Sequence, residues 1–252
     1  MDQRYEAARA YVAAHCIPER ALAARAGIDA TQLTALEAAG VVPEPTYRVG
    51  PSSVISAIRR LGEREAGAAG WYGVSVAAWL RRAAVLAEAT PAAGLTGAMA
   101  DGVARDLAAV LDGMAADAQA FGWAGLFRDG RCDLAAARAY VDGEWAGWMA
   151  GGWAVCLRRF DGHHLAVKEI ERQRIGAMLA AGVATSAERL ALMDAMGRLD
   201  AVLLPFAPHE RPHGTPGRFL DEPARRLGLP WAAPYEAGTT GSSIDDAVSP
   251  VR

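Results

Sequence analysis

The chain has 252 residues, 52% of them hydrophobic, with a formal net charge of -3 and an isoelectric point near 6.0. That composition excludes a largely disordered chain and supplies apolar area for one large or two small cores. It offers no general attraction to nucleic acid or anionic membrane, so any anion binding has to be local. The opening Met1-Asp2-Gln3-Arg4-Tyr5-Glu6 lacks the cationic-then-apolar order of a signal peptide. No apolar run approaches the ~20 residues of a membrane span, so a cytoplasmic protein is expected. Cys16, Cys132 and Cys156 are odd in number, far apart and never paired as C-x-x-C. Reduced thiols are expected rather than a disulfide framework or zinc knuckle.

Apolar periodicity predicts helices at 3–15, 18–26, 30–39, 52–66, 75–88, 98–121, 133–150, 163–180 and 186–201, with no sustained period-two run and no internal repeat. The expected fold class is all-α (mainly α). Gly and Pro punctuate the gaps. Trp153 to Phe160 reads as a short strand or an irregular link, and Leu203 to Pro216 holds Pro205, Pro208, Pro212 and Pro216, which forbid regular structure. The result is a long ordered loop bearing His209 and His213, of the kind that often carries function. The expected organisation is a helix-turn-helix-like module over 1–66, a larger helical domain with the active site over 67–235, and a flexible tail over 236–252.

Leu22-Ala23-Ala24-Arg25-Ala26-Gly27-Ile28, then Leu33, Leu36, Glu37-Ala38-Ala39-Gly40-Val41-Val42-Pro43 and Tyr47-Arg48, resembles the helix-turn-helix of MerR-type regulators. Gly27 would supply the tight turn and Gly40 the end of the second helix. The chemistry for DNA is thin: Asp29 to Ala39 carries Asp29 and Glu37 and no Lys or Arg, although Thr31, Gln32 and Thr34 face where bases would lie and Arg59, Arg60 and Arg64 would meet phosphates. Affinity for a duplex needs several neutralising cations. Nucleic-acid binding is therefore not expected, and the motif reads as a structural or protein-docking module.

Lys168 is the only lysine among 26 basic residues, within His163-His164-Leu165-Ala166-Val167-Lys168-Glu169-Ile170-Glu171-Arg172. Phased as a helix, Val167, Ile170, Ala177 and Met178 form an apolar stripe with His164, Lys168 and Arg172 beside it. A half-buried ammonium there would bind anions as a point charge; the alternative is a lysine snorkelling at a helix boundary. His209-Glu210-Arg211-Pro212-His213 spells H-E-x-x-H, but Pro212 breaks the helix on which two such histidines would share a zinc ion, and no third ligand is evident. No metal site is expected. Acid, base and cation are nonetheless crowded together in His209, Glu210, Arg211 and His213, with Arg218 beyond, unless this is simply a solvated polar loop. In the helix from Asp133 to Ala150, Glu144 falls between Tyr140 and Trp148, where aromatic surroundings would raise its pKa toward that of a general base; the alternative is a surface glutamate lying against the indole. No phosphate loop, dinucleotide fingerprint, G-x-S-x-G elbow or Cys-His motif occurs.

Trp145-Ala146-Gly147-Trp148 through Gly152-Trp153-Ala154-Val155-Cys156-Leu157, then Lys168-Glu169 and Leu204-Pro205-Phe206-Ala207-Pro208-His209-Glu210-Arg211, resembles an actinobacterial family attached to natural-product biosynthesis. Within it the chain is similar to the larger component of the two-protein enzymes that close aziridine rings in azinomycin and vazabitide biosynthesis. The resemblance implies a cofactor-free reaction in which an amine displaces a neighbouring sulfate ester. The substrate would be tethered to a small acidic amino-group carrier protein, and a smaller second subunit would complete the enzyme. On that expectation His209 or Glu210 is the base, Lys168, Arg211 and Arg218 cradle the sulfate with His164 and Arg172 beside them, and Glu144 with Trp148 and Tyr140 forms a positioning wall. A helix-turn-helix regulator and a noncatalytic scaffold subunit are the alternatives.

Overall fold

The computed structural model describes residues 3–231, and the expected tail over 236–252 lies outside them. In chain order the elements are α1 (Gln3–His15), β1 (Cys16–Pro18), α2 (Leu22–Ala26), α3 (Ala30–Ala38), β2 (Tyr47–Val49), β3 (Val54–Ser56), β4 (Arg60–Leu61), β5 (Ala69–Gly73), α4 (Val74–Ala87), α5 (Ala92–Gly113), α6 (Ala115–Ala120), β6 (Phe127–Arg128), β7 (Arg131–Cys132), α7 (Leu134–Met149), α8 (Gly152–Cys156), α9 (Gly162–Ala181), α10 (Ser186–Val202) and α11 (Glu222–Leu227). The fold is mainly α, as the periodicity predicts. No helix among the described residues is long and apolar enough to cross a membrane.

Short polar side chains set several helix boundaries. Asp29 accepts from the Gln32 amide at 2.8 Å while the Gln32 side chain accepts from the Asp29 amide at 3.0 Å, a capping box that starts α3. Thr185 and Glu188 repeat it on α10. Asp133 and Asp161 cap α7 and α9. Gly27 ends α2 in the left-handed region at φ 71°, the turn predicted for it.

The segment 52–66, predicted as a helix, forms β3 and β4 instead. They belong to a five-stranded antiparallel sheet ordered β1-β5-β2-β3-β4. Pro51 precedes the β-branched pair Val54-Ile55, and strands of two to five residues are too short to leave a period-two signature. The predicted 18–26 helix likewise begins as β1 and a 3-10 turn, and 98–121 is split at Met114. Trp153 to Phe160 starts as α8, after which Leu157 makes a single bridge to Leu203.

Because β5 pairs with both β1 and β2, the packing is continuous across residue 66, where a module boundary was expected. A small core joins Tyr5, Tyr11, Cys16, Tyr47 and Val54 to Val155, Phe206 and Ala207. The main core lies among α4, α5, α7, α9 and α10. At its centre the Phe160 ring meets Trp153, Trp148 and Trp79 at 4.1, 4.7 and 5.0 Å between centroids.

Candidate functional site

The proline-rich loop after α10 is ordered and turns back beneath the sheet. Phe206 holds it there: its backbone lies at φ 65°, a conformation that strains a non-glycine residue, and its ring is fully buried. Gly214 permits this, since a Cβ there would sit 2.5 Å from the Phe206 ring. The Ala207 carbonyl then accepts from the Glu210 and Arg211 amides, both at 2.9 Å, and Arg211 to His213 form one 3-10 turn containing Pro212. His209 and His213 therefore do not share a helical face: the His209 side chain is 5% exposed, whereas His213 is open to solvent. Among the described residues no group of three or more His, Cys, Asp or Glu is placed to hold a metal ion.

Glu210 is the centre of the site. Its carboxylate is buried and accepts the Tyr47 hydroxyl at 2.6 Å on one oxygen and the Ser56 hydroxyl on the other. Tyr47 and Ser56 are cross-strand partners on β2 and β3, so the sheet register presents both donors together. Burial pushes the Glu210 carboxyl up from the usual range, opposed by the two hydroxyls and the Arg59 charge. The His209 ring lies 3.9 Å away, neither nitrogen has a hydrogen-bond partner, and burial with the Arg59 charge lowers its pKa to about 4. At neutral pH the pair is thus a neutral imidazole beside a desolvated carboxyl of raised proton affinity. Burial, then Tyr11 and Glu210, keep the Tyr47 phenol protonated and donating. Ser56 also lines a cavity of about 550 Å³ and so links Glu210 to solvent-accessible space.

Lys168 is half-buried on α9 and makes no hydrogen bond or ion pair with the described residues. It acts electrostatically on the buried Cys156 thiol of α8, which burial pushes up, Lys168 pulls down and Glu210 pushes up further. The lone lysine and the loop carboxylate therefore share a neighbour.

Other predicted residues are engaged elsewhere. Arg211 is no free cradle: it is 4% exposed, grips Asp221 through Nε at 2.7 Å and Nη2 at 2.8 Å, and donates Nη1 to the Pro205 carbonyl at 2.8 Å. It ties the loop to the π-turn 217–221. Arg172 is paired with Glu169 and lies over the Phe219 ring at 5.8 Å. The His164 Nδ1 meets the capping Asp161 at 2.8 Å. Arg218 is exposed on a different cavity, of about 540 Å³.

The expected aromatic wall is core. Trp148 is 5% exposed, and Tyr140 packs edge-on against Trp123 at 5.0 Å with its hydroxyl pushed up to about 12 by burial, then by Glu144 and Glu169. Glu144 is corrected most plainly, because it faces solvent rather than being pressed between Tyr140 and Trp148. The sequence reading missed Tyr47 and Ser56 as partners of Glu210. They lie 163 and 154 residues from it in the chain, and nothing local signals the pairing.

Residues 114–228 match the model of a family of unknown function, DUF6058. That stretch holds Lys168, His209 and Glu210 and stops short of Tyr47 and Ser56 on the sheet. Neither the curated proteins nor the solved structures give a match.

Proposed function

We propose that this protein is an enzyme subunit that closes a small ring by displacing sulfate with a neighbouring amine, with the loop at 209–210 as its base. The observation that supports the reading is the buried Glu210, gripped by Tyr47 and Ser56 beside an unpartnered neutral His209. In the step, the amine nitrogen forms a bond to the carbon that carries the sulfate, and that carbon–oxygen bond breaks with its electron pair leaving on sulfate. The ammonium proton passes to Glu210, reached through Ser56, or to His209. A carboxyl whose proton affinity is raised by burial is suited to that role near neutrality. Lys168 supplies the unpaired cation for the departing anion.

The resemblance adds a smaller subunit and an acidic carrier protein as partners. The three free thiols are consistent with a reducing, cytoplasmic setting. The DNA-binding alternative draws support from exposed Arg59, Arg60 and Arg64, but α3, which would enter the groove, bears Glu37 and no cation.

The test uses 2-aminoethyl hydrogen sulfate as the simplest vicinal amino sulfate ester, with the protein and its co-purified partner. Released sulfate and the three-membered ring are expected. Lys168→Ala should lower the rate by orders of magnitude with the fold intact, since losing a charge on the leaving group costs on the order of a few kcal/mol. A fully active Lys168→Ala protein removes the lysine from the mechanism.

A further inference from the structure

The sheet carries its charge on one face. Tyr47 and Ser56 point down to Glu210, and the intervening positions point the other way: Arg48 pairs with Ile55, and Ile55 with Arg60, in one row across β2, β3 and β4. Two strand spacings put the Arg48 and Arg60 backbones about 10 Å apart, close enough for both long side chains to reach one bound group. Arg59 and Arg64 join them around the cavity of about 550 Å³, between these strands and the end of α7 at Ala150.

Four arginines line this cavity with one carboxylate, Glu44, which meets Arg48 at 3.9 Å, while the Arg59 charge also acts on Glu210 and His209 behind Ser56. Arg59, Arg60 and Arg64 form no side-chain hydrogen bond or ion pair with any described residue. Elsewhere in the fold several arginines are paired: Arg82 with Asp106, Arg138 with Asp101 and Asp142, Arg198 with Glu171. Unpaired like charges in one concave space repel each other unless an anion joins them. The guanidinium fork matches the oxygens of tetrahedral oxyanions in a way that a point charge does not.

We infer that this cavity is a binding site for a small molecule bearing a sulfate or phosphate group, held by Arg48, Arg59, Arg60 and Arg64. The site does not depend on the reaction proposed above. Ser56 connects it to Glu210: the residue lines the cavity, and its hydroxyl donates to the carboxylate and accepts from the Ile58 and Arg59 amides at 3.2 Å each. A ligand that draws on the Arg59 turn thus acts on the hydrogen bond that Glu210 receives. A small ligand fits better than a duplex, because the arginines line a hollow and α3, the helix that would enter a groove, carries no cation to extend the contact.

The test is calorimetric titration of the full chain with inorganic phosphate and, separately, inorganic sulfate. Saturable binding of at least one anion is expected, weakened about tenfold or more in Arg48→Ala and in Arg60→Ala and unchanged in Arg128→Ala, on the β6–β7 hairpin, which does not line the cavity. Tighter phosphate binding assigns a phosphate ester, and equal or tighter sulfate binding a sulfate ester. Circular dichroism checks folding, and Arg60→Gln takes the place of any alanine variant that unfolds. Absence of saturable binding overturns the inference, as does equal affinity in the arginine variants, or a site that binds duplex DNA while ignoring both small anions.

Discussion

His209 and Glu210 are adjacent in the chain and share one desolvated pocket, so burial shifts them in opposite directions. The imidazole falls from 6.5 to about 4, so the unfolded chain binds its proton first. Its contribution to stability is present above pH 6.5 and is lost as pH falls toward about 4. The carboxyl is raised, so its contribution is present at low pH and is lost as pH rises through its folded value, with Tyr47 and Ser56 limiting the loss. We expect the melting temperature to drop between pH 6.5 and about 4, and His209→Gln to flatten that drop; a slope that survives the substitution would remove His209 as its source. The crowding of His209 and Glu210 in a proline-stiffened loop was legible in the sequence, because Pro208 and Pro212 rule out a helix and leave two ionisable groups in a fixed turn. Arg211 was legible only as a charge. Its engagement with Asp221 depends on a π-turn that no local pattern announces.

At the scale of elements, long helices announce themselves and short strands do not. α9 and α10 each carry a side-chain cap and several turns of apolar stripe, and both fall close to their predicted limits. β3 and β4 are two or three residues long and stand in a segment whose apolar spacing also fits a helix. Their identity is settled by pairing with β2, a tertiary contact. One close approach fixes where α9 meets α5. A Cβ at Gly162 would lie 2.5 to 2.6 Å from the backbone of Asp106 and Leu107, atoms that cannot swing away as a side-chain end can. Gly162→Ala must therefore push α9 off α5, and we expect a loss of about 1–3 kcal/mol in chemical denaturation. An unchanged midpoint would show that the two helices are less tightly seated than described.

At the scale of the whole molecule, the candidate site is assembled from distant parts of the chain. The N-terminal sheet supplies Tyr47 and Ser56, and the loop after α10 supplies His209 and Glu210. The small core that packs Tyr47 and Val54 against Val155 and Phe206 is what brings the sheet and loop together. The helix-turn-helix outline at the N-terminus is thus built into the same body as the site. That assembly makes Glu210 the residue on which the account stands. The most direct test is the rate of sulfate release from 2-aminoethyl hydrogen sulfate by wild type and Glu210→Gln, each with the proposed partner subunit and each shown to be folded by its melting curve. The amide retains the size and its oxygen accepts one of the two hydroxyls, while its NH2 group can only donate toward the other, and it cannot take the ammonium proton. Loss of general-base catalysis should cost on the order of 10²–10⁴ in rate. A folded Glu210→Gln protein that turns over as fast as wild type would contradict the account.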